Sequence, residues 1–103
     1  MTQPVPTTAF TDPTVLVTLV GPDQSGVTTR LFEAVSEHSV EVIDVEQLVV
    51  RGQLVLSTLL SAPDDVPAME RTVVRVAEGL GLTATVEHGT GDNRPRRVGR
   101  ARV

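Results

Sequence analysis

Read as apolar and polar positions, the chain switches between a period of two and a period near 3.6. Residues 14–20 are apolar almost throughout, as expected of a central strand buried on one face and lightly covered on the other. Val27, Leu31, Ala34 with Val35, and His38 then recur at helical spacing and define one face of a first helix, ended by His38 and Ser39. Residues 40–51 are a long β-rich run. Ile43, Val45 and Val49 share one face with Gln47, while Asp44 and Glu46 share the other with Leu48 and Val50. Arg51-Gly52-Gln53 reads as a turn and residues 54–61 as the returning strand, so the two strands form a hairpin. After a loop at 62–65, Val66, Met69, Val73, Val76 and Leu80 make the stripe of a second helix. Pro67 sits in its first turn, Asp64 or Asp65 caps it, and Gly79 and Gly81 stop it. Leu82, Ala84 and Val86 finally alternate with Thr83, Thr85 and Glu87 as a half-exposed strand.

The order is β-α-β-β-α-β. With right-handed crossovers it closes into an α+β, ferredoxin-like sandwich, a four-stranded antiparallel sheet with both helices on one face. The other face and at least one edge strand stay uncovered. Leu48 and Val50 then point either to pairing with another copy or domain, or to ordinary scattered surface apolars. The flanks differ in composition. Residues 1–13, with Pro4, Pro6 and Pro13 among threonines, read as a disordered lead, residues 14–89 as the folded domain, and residues 90–103 as an Arg-rich linker toward a following domain. The stop at Val103 reads as a cut within a longer chain.

Composition narrows the function classes. The core must be Val and Leu, because Phe10 and Phe32 are the only aromatics. With no cysteine, disulfides and thiolate metal sites are excluded. No apolar run approaches the roughly 20 residues of a membrane span, and the N-terminus lacks a signal-peptide core, so a cytoplasmic location and no membrane partner are expected. All nine basic residues are Arg, and Arg94, Arg96, Arg97, Arg100 and Arg102 lie in the last ten positions. Residues 1–93 therefore set four Arg against all thirteen acids, a net of −9. A body that acidic repels a phosphate backbone, and the sheet lacks stacking aromatics, so no nucleic-acid partner is expected.

Catalytic groups are scarce. His38 and His88 fall at element ends with no neighbouring carboxylate or second His at ligand spacing, there is no Walker loop, and an Asp-x-Asp nucleophile loop is absent. We assign no catalytic residue and no metal ligand to this chain. The chemistry concentrates instead in residues 21–30, Gly-Pro-Asp-Gln-Ser-Gly-Val-Thr-Thr-Arg, between the first strand and the first helix. Gly21 and Gly26 let the backbone bend tightly. Ser25 is the expected N-cap, and the first N–H groups of the helix face whatever lies before the loop, where the helix dipole favours an anion. A free amino acid suits such a place, with its carboxylate on the helix and its ammonium on Asp23 or Asp44.

The pattern Gly21-x-Asp23-x-x-Gly26-Val27-Thr28, set between strand and helix of this order, resembles the ACT domain, a regulatory amino-acid-binding module. Leu31-Phe32, the run Val40-Glu41-Val42-Ile43-Asp44-Val45-Glu46-Gln47 and the tail Gly91-Asp92-Asn93-Arg94-Pro95-Arg96-Arg97 are similar to the N-terminal ACT domain of actinobacterial phosphoserine phosphatases. That resemblance implies a parent chain of two ACT domains and a haloacid-dehalogenase-type catalytic domain hydrolysing O-phospho-L-serine with Mg2+. This chain would be its first regulatory domain, not itself an enzyme. It would bind L-serine without a cofactor and pair as a homodimer or with a second ACT domain. The ligand-binding residues implied are Gly21, Asp23, Gln24, Ser25, Gly26, Val27 and Thr28, with Asp44 facing the loop from a partner domain. Ser25 departs from the Pro that many relatives carry before the Gly. Two alternatives stay open. One is a ligand-free oligomerisation module. The other is an acylphosphatase-like hydrolase, whose Gly-Val-x-x-Arg phosphate cradle Gly26-Val27-Thr28-Thr29-Arg30 resembles, although no Asn occurs on the third strand.

Overall fold

The structure is a computed structural model and describes residues 12–90. The expectations for a disordered lead and for the Arg-rich linker fall outside the described residues, apart from their inner ends. The elements run β1 (Pro13–Pro22), α1 (Val27–Val35), a 3₁₀ turn (Ser36–His38), β2 (Val42–Val50), β3 (Gln53–Ser61), α2 (Val66–Leu80) and β4 (Thr83–Thr90). Strand β1 thus takes in Pro13, and β4 takes in Gly89 and Thr90.

The sheet is antiparallel with strand order β2-β3-β1-β4, so β2 and β4 are its edges. Alternation settles the faces. Val15, Val17 and Leu19 on β1 stand beside Leu60, Thr58 and Leu56 on β3, and all are buried. They pack beneath Val27, Leu31 and Val35 of α1 and Met69, Val73 and Ala77 of α2. Ala77, not Val76, completes the buried stripe of α2, because it continues the row of Met69 and Val73 at a spacing of four. This is the expected ferredoxin-like sandwich, with a Val and Leu core.

Local chemistry explains the ends. Asp65 caps α2, its Oδ1 accepting from the Ala68 N–H at 3.0 Å, with Pro67 in the first turn. The hairpin turn uses two residues, Arg51 and Gly52, both at positive φ, a twist that matches the flanking strands; Gln53 already pairs with Val50. A bulge between Val42 and Asp44 leaves Ile43 without a partner on β3. Beyond it Val45, Gln47 and Val49 share the helix-side face, and Asp44, Glu46, Leu48 and Val50 the outer one. The helices do not reach over β2. Val45 and Val49 stay 39% and 42% exposed, whereas Leu54 and Thr58 beside them on β3 are at most 1% exposed.

Candidate functional site

The β1–α1 loop is anchored at three points. Asp23 donates its backbone N–H to the Gly52 carbonyl at 2.8 Å, which ties the loop to the β2–β3 turn. Gln24 donates from Nε2 to the Leu80 carbonyl at 2.9 Å and to the Pro22 carbonyl at 3.3 Å, which ties it to the end of α2. Gly21 packs against the start of β4, where an added β-carbon would meet Leu82 Cδ2 at 2.5 Å. The space that glycine leaves at 21 is therefore filled by the chain's own Leu82. Gly26 is different. It is the N-cap of α1 at φ 85°, and an added β-carbon there would meet nothing within 4 Å. Ser25 does not cap the helix as expected. The left-handed backbone at Gly26 takes that position, and no side chain accepts from the first turn.

Without a side-chain cap, the helix front stays open. The first bond that closes the helix runs from the Arg30 N–H to the Gly26 carbonyl at 3.0 Å. Among the described residues, the N–H groups of Val27, Thr28 and Thr29 enter no loop, turn or cap hydrogen bond. They open into a cleft of about 370 Å³ lined by residues 23–29 together with Gln47 and Leu54. Thr28 Oγ1 donates to Gln47 Oε1 at 3.4 Å across the cleft floor, linking α1 to β2. The arrangement offers amide donors and a positive dipole end for an anion, the exposed Asp23 carboxylate for a cation, and the Gln47 amide for a small polar group.

Seven of the expected site residues can now be placed together. Asp23, Gln24, Ser25, Gly26, Val27 and Thr28 line the cleft, although Gln24 commits its amide nitrogen to the Leu80 carbonyl. Gly21 stands behind them against Leu82. Asp44 is not brought to the cleft. It lies opposite Leu59 on the outer face, and its Oδ1 accepts from the next backbone N–H, that of Val45, at 3.0 Å. Gln47 and Leu54 were not expected. The sequence signal was there for Gln47, a polar residue at an alternation position otherwise filled by Val45 and Val49. It could not be weighed until the register showed that this face meets the loop. Arg30, needed for the phosphate cradle, lies beyond the cleft lining and is exposed, and β3 carries no Asn.

Other chemistry is sparse. His38 Nε2 lies 3.0 Å from Thr72 Oγ1, and Thr72 donates to the Ala68 carbonyl, so the imidazole supplies the proton and joins α1's end to α2. Among the described residues no three His, Cys, Asp or Glu side chains gather as a metal site, and no helix is long and apolar enough to cross a membrane.

Comparison with known proteins agrees with this fold. The family model described as ACT domain matches residues 13–87. A phosphoserine phosphatase of Streptomyces coelicolor is 43% identical over 93 residues, which are 88% of this chain and 23% of that one. Phosphoserine phosphatase SerB2 of Mycobacterium tuberculosis is 45% identical over 76 residues, 71% of this chain and 19% of that one. The chain thus spans about a fifth of the length of these curated relatives. Among solved structures, an ACT domain protein from Streptococcus pneumoniae superposes with a TM-score of 0.66 at 16% identity, over 75% of this chain and 90% of that one. The regulatory subunit of aspartate kinase from Thermus thermophilus gives 0.60 at 21% identity, over 77% and 56%. With the model match running from β1 into β4, the chain belongs to the ACT domain family.

Proposed function

We propose that this chain is the amino-acid-sensing regulatory domain of a cytoplasmic phosphoserine phosphatase, with L-serine as its ligand. The observation that carries the reading is the cleft at the front of α1, where open amide donors, the Asp23 carboxylate and the Gln47 amide stand around one small volume. The ligand carboxylate sits on the N–H groups of Val27, Thr28 and Thr29, its ammonium faces Asp23, and a short hydroxyl side chain meets Gln47 and Thr28. The relatives' names supply the parent reaction, hydrolysis of O-phospho-L-serine. Its catalytic groups and Mg2+ belong to the remainder of the longer chain, and the described residues offer no metal site for them.

The domain pairs through β2. Among the described residues the exposed large apolar ones, Val42, Ile43, Val45, Leu48, Val49 and Val50, all lie on this edge strand, which would pair with a second ACT unit as one continuous sheet. Such pairing keeps the helix-side faces together, so a partner's Val45, Gln47 and Val49 approach the cleft while Asp44 stays on the opposite face. That edge also favours a second reading, an assembly module without a ligand.

Titration calorimetry against the twenty amino acids, at millimolar ligand and with the paired state verified by light scattering, separates the two readings. Heat with L-serine that disappears in Asp23→Ala is expected. Pairing with no heat from any amino acid leaves the assembly module.

A further inference from the structure

The sheet face opposite the helices has no described element over it, yet it is buried at one end. Leu59, on this face beside Leu16 and Asp44, is 4% exposed. Thr14, on the same face, is 2% exposed, and its Oγ1 finds no hydrogen-bond partner. A buried hydroxyl of this kind calls for a donor or acceptor lying against it. Its neighbour on β4 is Gly89, which contributes no side chain and leaves a notch beside Thr14. Acids flank the buried end. Glu87 stands on β4 across from Leu16, Asp44 on β2 across from Leu59, and Glu46 in the next row.

We propose that the arginine-rich segment, residues 94–102 of this same chain, docks across this outer face, with Arg94, Arg96 and Arg97 meeting Glu87, Asp44 and Glu46 and a donor of the segment meeting Thr14 Oγ1. Charge complementarity favours it: residues 1–93 carry a net −9, four Arg against thirteen acids, and five Arg follow within ten residues. Position favours it as well. Strand β4 ends at Thr90, paired with Pro13, at the same end of the sheet as Thr14 and Leu59. Gly91-Asp92-Asn93 then supplies three residues suited to a reversal. Crossing from β4 to β2 takes three strand spacings, about 14 Å. With residues 91–93 spent on the turn, Arg94 to Arg97 lie about 3 to 13 Å of extended chain beyond it, which suits Arg94 to Glu87 on β4 and lets Arg97, with the length of its own side chain, span to the acids of β2. The interaction neutralises much of the acidic body and closes the helix-free face.

NMR on the full 103-residue chain tests this. Arg94→Gln, Arg96→Gln and Arg97→Gln together should shift the signals of Thr14, Leu16 and Leu59 while those of Leu19 and Leu56, on the helix side, hold still. Salt at about 1 M, where screening acts within about 3 Å, should reproduce the shift in the unaltered chain, and Asp44→Asn with Glu46→Gln should reproduce it from the other partner. Unmoved outer-face signals overturn the proposal. So do shifts produced only by deleting residues 1–11, which would make the N-terminal segment the occupant, and outer-face signals that depend on protein concentration, which would make it a second copy.

Discussion

Replacing Gly21 with alanine tests whether this glycine shapes the fold or receives the ligand. Its added β-carbon would stand 2.5 Å from Leu82 Cδ2 and 3.3 Å from both the Gly81 carbonyl oxygen and Leu82 Cα. Leu82 is 6% exposed and belongs to the core cluster, so its methyl cannot swing into solvent without vacating packed space. Overpacking of this kind costs about 1–3 kcal/mol. For a domain of this size each kcal/mol lowers the melting temperature by about 4–8 °C. Gly21→Ala should therefore melt roughly 5–20 °C lower by circular dichroism. The cause can be isolated by a cycle. Leu82→Ala alone should cost about 2–5 kcal/mol, but it removes the methyl that the new β-carbon strikes. In that background Gly21→Ala should cost about 1 kcal/mol less than in the parent, a coupling expected only for residues in contact. Melting losses that add to within about 0.5 kcal/mol would refute the contact as the reason for glycine at 21.

Gly26→Ala should destabilise for a different reason, its backbone conformation and not a clash. A left-handed backbone with free space around it costs about 1–2 kcal/mol, and calorimetry should show its main effect on ligand binding, since Gly26 lines the cleft. Thr58→Val should raise the melting temperature by several degrees, about 1 kcal/mol, because the Thr58 hydroxyl is fully buried on the helix side with no hydrogen-bond partner. Asp65→Ala should lower stability by about 1 kcal/mol in urea titration through loss of the cap on Ala68. Val45→Lys with Val49→Lys should convert a paired state to a folded monomer in light scattering and remove the dependence of the melting temperature on protein concentration, since both side chains are about 40% exposed on the edge strand.

Element types and order were legible in the chain because burial against one layer leaves a period in the residues themselves: Val15, Val17 and Leu19 at two, and Val27, Leu31 and Val35 near 3.6. Short-range chemistry was legible too, as at the Asp65 cap and the Arg51-Gly52 turn, where the groups that interact are at most a few residues apart. The loop at residues 21–28 announced itself by its glycines and its place between strand and helix. What the glycines were for did not. Gly21 answers to Leu82, sixty-one positions away, through the β1–β4 register. The N-cap fell to Gly26 instead of Ser25 because the backbone entered α1 in the left-handed region, which glycine adopts without steric cost, and only the structure showed that the entry runs through it. Asp44 and Gln47 were already separable onto two faces of one strand. Only the tertiary structure decided that Gln47's face meets the cleft and that Asp44's meets the open side of the sheet. Local sequence carries periodicity and caps because those forces act within a turn or two. Which surfaces come together depends on pairing between distant strands, and that is settled only when the whole sheet closes.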